Sequence, residues 1–450
     1  MKLKTFKRIV TTLVVMILVA GAVYAGTMYF NINGSFLNGE PPRDEPTLLS
    51  VVEITRAPDP TPTPEPPPEP TPTPPPPITI LVGGDVLTGE KIGPKIVAGD
   101  YEMILDATSA ERFRNADIAL INLETSVSLR GSPADKTYTF RSPPENLAFL
   151  RDHLGIDVAS LANNHALDYG RDAFEDTLVH MREYGIEPIG GGMNISEAAA
   201  PWIAEVHGVK IAFLASNQIL PAVSWTATDD RAGQLVSKDP SNLGALATSV
   251  RKAVEECDYV IVYMHWGIER DSKPHDVQKR TAHNLIDMGV DIVIGAHPHV
   301  IQSFEYYNGK PIIYSLGNFI FNSRNPETAY MEIVIDNGEV TVQLVPCYMD
   351  AQLTYAVDAD RAATMLKKWS DLSFDATFDE NGYMVPTKHT PVATATPTAT
   401  PTPEPTASVE VTADAEESAE PSASEGAPEP NASAAEPSDD AEIAAALPEL

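Results

Sequence analysis

A chain of 450 residues with 40 prolines, two cysteines and a formal net charge of −32 is not one evenly packed globule. Most prolines crowd before Ile78 or after Pro391, in stretches too poor in large apolar side chains to offset ordering entropy, which leaves one large domain over residues 78–389. The acidity argues against a nucleic-acid partner and suits cation binding. Two cysteines are too few for a disulfide scaffold. Cys257 and Cys347 each sit beside an apolar run and read as buried small side chains, with a single bridge left open.

The chain begins with a basic stub, residues 1–8, carrying Lys2, Lys4, Lys7 and Arg8. Residues 9–30 hold no charged side chain, and a helix of about 20 residues spans a bilayer. Positive charge stays on the cytoplasmic side, so the expectation is a single-pass membrane anchor with a cytoplasmic N-terminus and an extracellular domain. Val23-Tyr24-Ala25 offers a signal-peptide cleavage site as the alternative. The apolar stretch runs on to Phe30, which favours an uncleaved anchor. Residues 31–77 form a Pro/Thr/Glu-rich linker whose Thr-Pro and Glu-Pro repeats favour polyproline II, a semi-rigid spacer. The tail, residues 390–450, has thirteen acidic residues and no Lys or Arg, and is expected to be disordered.

Within the domain, short apolar runs recur at Ile78–Val82, 118–123, 158–161, 209–214, 259–264, 292–294 and 312–314, and read as buried strands. Helical patterns lie between several of them, at 171–184, 241–256 and 277–288. This alternation predicts an α/β domain with a largely parallel sheet. Late in the domain, Asp336-Asn337-Gly338 between two alternating runs predicts a β-hairpin.

The polar residues at the strand ends are the informative ones, because ligands bind beyond the carboxyl ends of strands in such sheets. Asp85, Glu124, Asn163-Asn164-His165 with Asp168, His265, His297-Pro298-His299 and Asn318 all fall there. Six strands would bring them to one edge of one sheet. Carboxylate, amide and imidazole donors suit a divalent metal such as Mn, Fe or Zn. Pro298 is expected to hold an extended backbone that points both flanking rings outward. Trp266 reads equally as pocket lining or core. Arg141 reads as an anion contact or a surface ion pair. His275 and His283 read as exposed. No Lys-Ser/Thr follows Gly190-Gly191-Gly192, so it is a tight loop and not a phosphate loop. Ser160 and Ser315 lack a nucleophile-elbow context.

These motifs together resemble the CapA poly-γ-glutamate (capsule) biosynthesis family, a branch of the calcineurin-like metallophosphatase superfamily. The matching segments are Gly84-Asp85-Val86, Asn122-Leu123-Glu124, Asn163-Asn164-His165 through Gly170, His265-Trp266-Gly267, Gly295 to Val300 with Gln302, and Tyr314 through Phe319. The resemblance implies a four-layer α/β/β/α sandwich. It implies Asp85, Glu124, Asn164, His265, His297 and His299 as ligands to one or two divalent ions. His165 would be the general acid or the group that stabilises a phosphoryl oxygen, with Asp168 orienting its ring; Asn318 would support the ligands from behind. It also implies a role in making or exporting surface polyglutamate, with an anionic polymer and a membrane synthesis complex as partners. Related metallophosphatases open with Asp-x-His, whereas here Leu87 stands two residues after Asp85. One metal position is therefore short of a ligand, and two functions stay open: a metal-dependent hydrolase, or a non-catalytic polymer-binding or assembly component.

Overall fold

The computed structural model describes residues 75–322 and 326–388. The chain divides into two compact units, Met1–Pro72 and Thr73–Leu450, and every described residue belongs to the second. The basic stub, the expected membrane span, most of the linker and the acidic tail lie outside the described residues. Among the described residues no helix is long and apolar enough to cross a membrane.

Fourteen strands matter for the site: β1 (Ile78–Val86), β2 (Ile118–Leu123), β3 (Val158–Ser160), β4 (Glu187–Ile189), β5 (Trp202–Val206), β6 (Val209–Asn217), β7 (Tyr259–His265), β8 (Ile292–Ala296), β9 (Phe304–Tyr307), β10 (Lys310–Ile313), β11 (Asn318–Ile320), β12 (Glu327–Asp336), β13 (Glu339–Asp350) and β14 (Leu353–Ala356). They form two sheets, as the sandwich implied by the resemblance has it, where the strand pattern alone suggested one. The first has the order β14-β13-β12-β1-β2-β3-β4, with β11 also paired to β1; the second has the order β9-β10-β8-β7-β6-β5. In each sheet the central strands are parallel: β1 to β4 in the first, and β6, β7, β8 and β10 in the second.

The alternation of side chains explains the stacking. Ile80 and Val82 of β1 and Leu120 of β2 face Phe213 of β6, Ile261 and Tyr263 of β7 and Ile294 of β8 in one shared core. The intervening residues point the other way. Leu81, Ala119 and Ile121 meet Phe113 of helix α1 (Ala107–Asn115) and Phe174, Leu178 and Met181 of α2 (Arg171–Glu183). Val260, Val262 and Met264 meet Leu246 and Val250 of α3 (Ala245–Glu256) and Leu285 of α4 (Asp276–Asp287). Strands buried on both faces read as plain apolar runs, and the sequence shows no other sign of which sheet each one joins.

The hairpin forms where Asn337 and Gly338 allow it. Both take left-handed backbone (φ 49° and 86°), as a two-residue primed turn requires, and Asp336 opposes Glu339. Cys347 is buried and Cys257 half-buried, and neither is bonded to the other. Trp266 is fully buried and donates its indole N–H to the Tyr314 carbonyl at 2.9 Å, so it belongs to the core and not to a pocket wall. His275 is exposed at the start of α4, whereas His283 is half-buried. The His283 ring stacks on Tyr307 with centroids 3.8 Å apart and sits 2.9 Å from Glu305, because β9 passes over α4 at that point.

Candidate metal centre

The carboxyl ends of the parallel strands in both sheets converge on one spot. From the first sheet come Asp85 on β1, Glu124 just after β2, and Asn164 and His165 after β3. From the second come His265 at the end of β7, and His297 and His299 beyond β8. Glu124, His265 and His297 have donor atoms within 4.8 Å of one another, as do Asp85, Glu124 and His299. Glu124 is common to both groups. Its Oε1 lies 3.9 Å from His165 Nε2, 3.9 Å from His265 Nε2 and 3.7 Å from His299 Nε2. Asn164 Oδ1 completes the first group from 2.9 Å off His265 Nε2.

A divalent ion fits these residues. Glu124 Oε1 and His297 Nδ1 are buried yet have no hydrogen-bond partner within the protein. Each buried atom left in that state costs about 1–3 kcal/mol, which a bound cation would recover. The oxygen and imidazole donor set matches the borderline metals. Leu87 supplies nothing here; it packs against Phe321, Met349 and Phe140.

Several residues hold the donors in place. Asn122 shares one side of β2 with Glu124, two residues on, and donates its amide to Asp85 Oδ1 (2.9 Å) and Glu124 Oε2 (3.2 Å). Asn163 donates to Asn122 Oδ1 and to the Leu123 carbonyl, and accepts from the His165 backbone N–H. Asn318 lies opposite Asp85 in the β1–β11 pairing and donates to the His299 carbonyl at 3.3 Å. Of these three only Asn318 was given a supporting role from the sequence; Asn122 and Asn163 stood in the motifs without one. The same-side spacing in Asn122-Leu123-Glu124 would have pointed to Asn122.

The His297-Pro298-His299 turn departs from the extended backbone expected of it. Both histidines take left-handed φ, 94° and 57°. Such a conformation costs on the order of 1–3 kcal/mol for each non-glycine residue and is stored where the surroundings force it. Here Asp85 does part of the forcing, since it accepts from the His297 backbone N–H (3.4 Å) and from His299 Nδ1 (3.0 Å).

His165 and Asp168 come together as the resemblance implied. His165 Nδ1 donates to Asp168 Oδ2 at 2.6 Å, and Phe140 stacks on the ring at 4.2 Å. The other Asp168 oxygen accepts from Lys136 Nζ at 2.8 Å, a contact that nothing in the sequence signals because Lys136 sits in a loop away from any strand end. Arg141 does not reach the ligand cluster through any described contact. It stacks on the Tyr169 ring at 3.6 Å and donates to the Arg130 carbonyl.

The electrostatics are those of a metal-free site. Burial and the Asp85 charge hold the Glu124 carboxyl well above the usual carboxylate range. Burial and the His299 charge push His297 down to about 3, so its ring is neutral. Burial opposes a charged His299, but Glu124 and the Asp85 hydrogen bond outweigh it and raise the ring to about 9. A ligand must shed its proton first, so metal uptake near pH 7 is expected to release a proton from His299, and affinity is expected to rise with pH up to about 9. The raised His299 pKa stabilises the metal-free fold below the ring's ordinary 6.5, and that contribution fades as pH climbs through 9. Calorimetry in buffers of different ionisation enthalpy counts the protons; a proton-neutral uptake would contradict this account.

Comparison with known proteins follows the same residues. Residues 79–323 match the family model described as "Bacterial capsule synthesis protein PGA_cap". The chain is 29% identical over 303 residues to the capsule biosynthesis protein CapA of Bacillus anthracis, covering 65% of this chain and 73% of that one. It is 31% identical over 277 residues to the PGA biosynthesis protein CapA of Bacillus subtilis, covering 58% and 71%. Among solved structures it is similar to a hypothetical protein from Thermus thermophilus (TM-score 0.37, 16% identity, 61% of this chain and 100% of that one). The NAD nucleotidase of Haemophilus influenzae is another (TM-score 0.33, 10% identity, 66% and 57%). TM-scores of this size leave the fold to be read from the sheet topology itself. The family match spans more than half of the chain and contains every residue of the convergent site, and the chain therefore belongs to the bacterial capsule synthesis protein PGA_cap family.

Proposed function

We propose that this is a membrane-anchored, extracellular protein of poly-γ-glutamate capsule synthesis or export, with a metallophosphatase-like, metal-dependent hydrolase centre. The observation that carries the reading is the Glu124 Oε1 atom, buried and unbonded among three imidazoles from two sheets. Mn, Fe or Zn, as one or two ions, is the class that Asp85, Glu124, Asn164, His265, His297 and His299 would hold. Once bound, such an ion activates water and steadies oxygen charge. The chain's own contribution is His165. Burial lowers its pKa despite the Asp168 hydrogen bond, so a proton on Nε2 is weakly held and readily given to a leaving oxygen. Asp168 fixes the tautomer from Nδ1 and Phe140 fixes the plane of the ring. The N-terminal anchor and proline-rich linker would hold this centre outside the membrane, beside the polymer and its synthesis complex.

Leu87 favours a second reading. Its apolar packing leaves one ion position with only Asp85, Glu124 and His299, which suits a component that binds polymer without turning it over. The test is to reconstitute the full-length chain with Mn, Zn or Fe, measure bound metal, and assay phosphoester, anhydride and γ-glutamyl amide substrates. Turnover that falls about 100-fold or more in His165→Ala, with metal content unchanged, supports the hydrolase. Metal without turnover selects the second reading, and metal below about 0.1 equivalent rejects the centre.

A further inference from the structure

The site is flanked by a group of cations that the ligand set does not use. Three of them converge on three consecutive residues. Arg171 donates Nη2 to the Ser224 carbonyl at 2.6 Å, Arg231 donates Nη2 to the Thr226 carbonyl at 3.3 Å, and Lys136 Nζ lies 5.6 Å from the centroid of the Trp225 ring between them. Lys136 is also the residue that grips Asp168, and its Nζ donates to the Asn164 carbonyl at 2.6 Å. The cluster therefore begins at His165 and runs away from it along the 222–231 loop.

Both arginines are under-used. Arg171 Nη1 and Arg231 Nε are buried and have no hydrogen-bond partner. The contrast with Arg112, Arg130 and Arg151 is plain, since each of those sits on a carboxylate. Burial and the Arg231 charge pull the Arg171 guanidinium below its ordinary range, with Glu175 offsetting part of this. Like charges held together with spare donors, in so acidic a chain, suit an anion.

We propose that Lys136, Arg171 and Arg231 form a carboxylate-binding subsite that lays an anionic polymer along the Ser224–Thr226 loop and leads it to His165. The inference rests on the capsule-polymer reading above for the identity of the chain, and on the unpartnered donors for the site. A carboxylate suits these donors, because each guanidinium already spends Nη2 on a carbonyl and keeps one unpartnered nitrogen, Nη1 of Arg171 and Nε of Arg231. The same two segments also expose apolar surface, Val223 (79% exposed) and Tyr138 (68%), on which the methylene spacers between carboxylates can rest.

The test uses the purified full-length chain and a fluorescently labelled γ-linked glutamate oligomer, read by anisotropy. Wild type is expected to bind saturably, and Arg171→Gln/Arg231→Gln to weaken binding about tenfold or more with metal content unchanged. Wild-type affinity in that variant overturns the proposal. So does displacement of the oligomer by polyphosphate of equal charge at lower concentration than by unlabelled oligomer, which would mark a phosphate-polymer site. If the double variant loses its cooperative melt, wild type decides. Bound oligomer should then protect Arg171 and Arg231 from phenylglyoxal, as read by mass spectrometry, and absence of protection rejects the subsite. Metal is measured on the same samples. Failure to retain an ion would count against the hydrolase centre alone, whereas unchanged binding with the ion retained would count against the subsite alone.

Discussion

Glu124→Gln is expected to strip the centre of its ion while leaving the metal-free domain at least as stable as the parent. The two effects have one cause. Glu124 is fully buried, its Oε1 finds no hydrogen bond, and burial with the neighbouring Asp85 raises the pKa of its carboxyl well above the usual range. A neutral amide of the same shape therefore suits the metal-free protein, because it removes a carboxyl that is costly to ionise. The ion loses the one carboxylate shared by both ligand groups. Removing one partner of a buried charged contact costs about 3–5 kcal/mol, or at least about 100-fold in metal affinity. Elemental analysis and thermal melts with and without Mn or Zn measure both halves. Wild-type metal content in the variant would refute the shared-ligand geometry, and a metal-free melt lowered by more than about 1 kcal/mol would refute the electrostatic argument.

The second large effect is expected from Gly295→Ala. A Cβ at this position would stand 2.0 Å from the Tyr314 carbonyl oxygen and 2.4 Å from the Trp266 indole nitrogen. Those two atoms are hydrogen-bonded to each other, so one methyl group both overfills the core and breaks a buried bond. Overpacking of about 1–3 kcal/mol and an unsatisfied buried pair of about 1–3 kcal/mol sum to roughly 2–6 kcal/mol. The displacement would pass to His297 two residues on, so metal affinity should fall with stability. A shift in the denaturant midpoint at constant slope measures the first effect, and metal titration of the folded fraction measures the second. A variant within about 1 kcal/mol of the parent would show that β8 and β10 can part freely there.

Much of this site was legible because its donors follow apolar runs, and a residue after a buried strand has few places to go. Asp85, Glu124, His265 and His297 were found that way. The division into two sheets was not legible in the apolar pattern and came only with the resemblance. A strand buried on both faces looks the same in either sheet, and the break is made by β5, whose alternately half-exposed residues carry no large apolar run. Lys136 stayed hidden for a different reason: it reaches Asp168 from a loop, across 32 residues, with no periodicity to mark it. The left-handed histidines around Pro298 went against local preference and are held by a partner more than 200 positions earlier, Asp85, which no local rule contains. Trp266 could be assigned to the core only once the Tyr314 carbonyl was seen to take its N–H.

The division between sheets makes the centre a checksum on the whole fold. Asp85, Glu124 and Asn164 are threaded early, and His265, His297 and His299 late. A chain stopped or clipped between the two sheets would keep the carboxylates and lose the imidazoles that face them. An ion held between both sheets would also act as a rivet, and pulling it out would loosen the seam lined by Val82, Leu120, Tyr263 and Ile294 before it loosened either sheet alone.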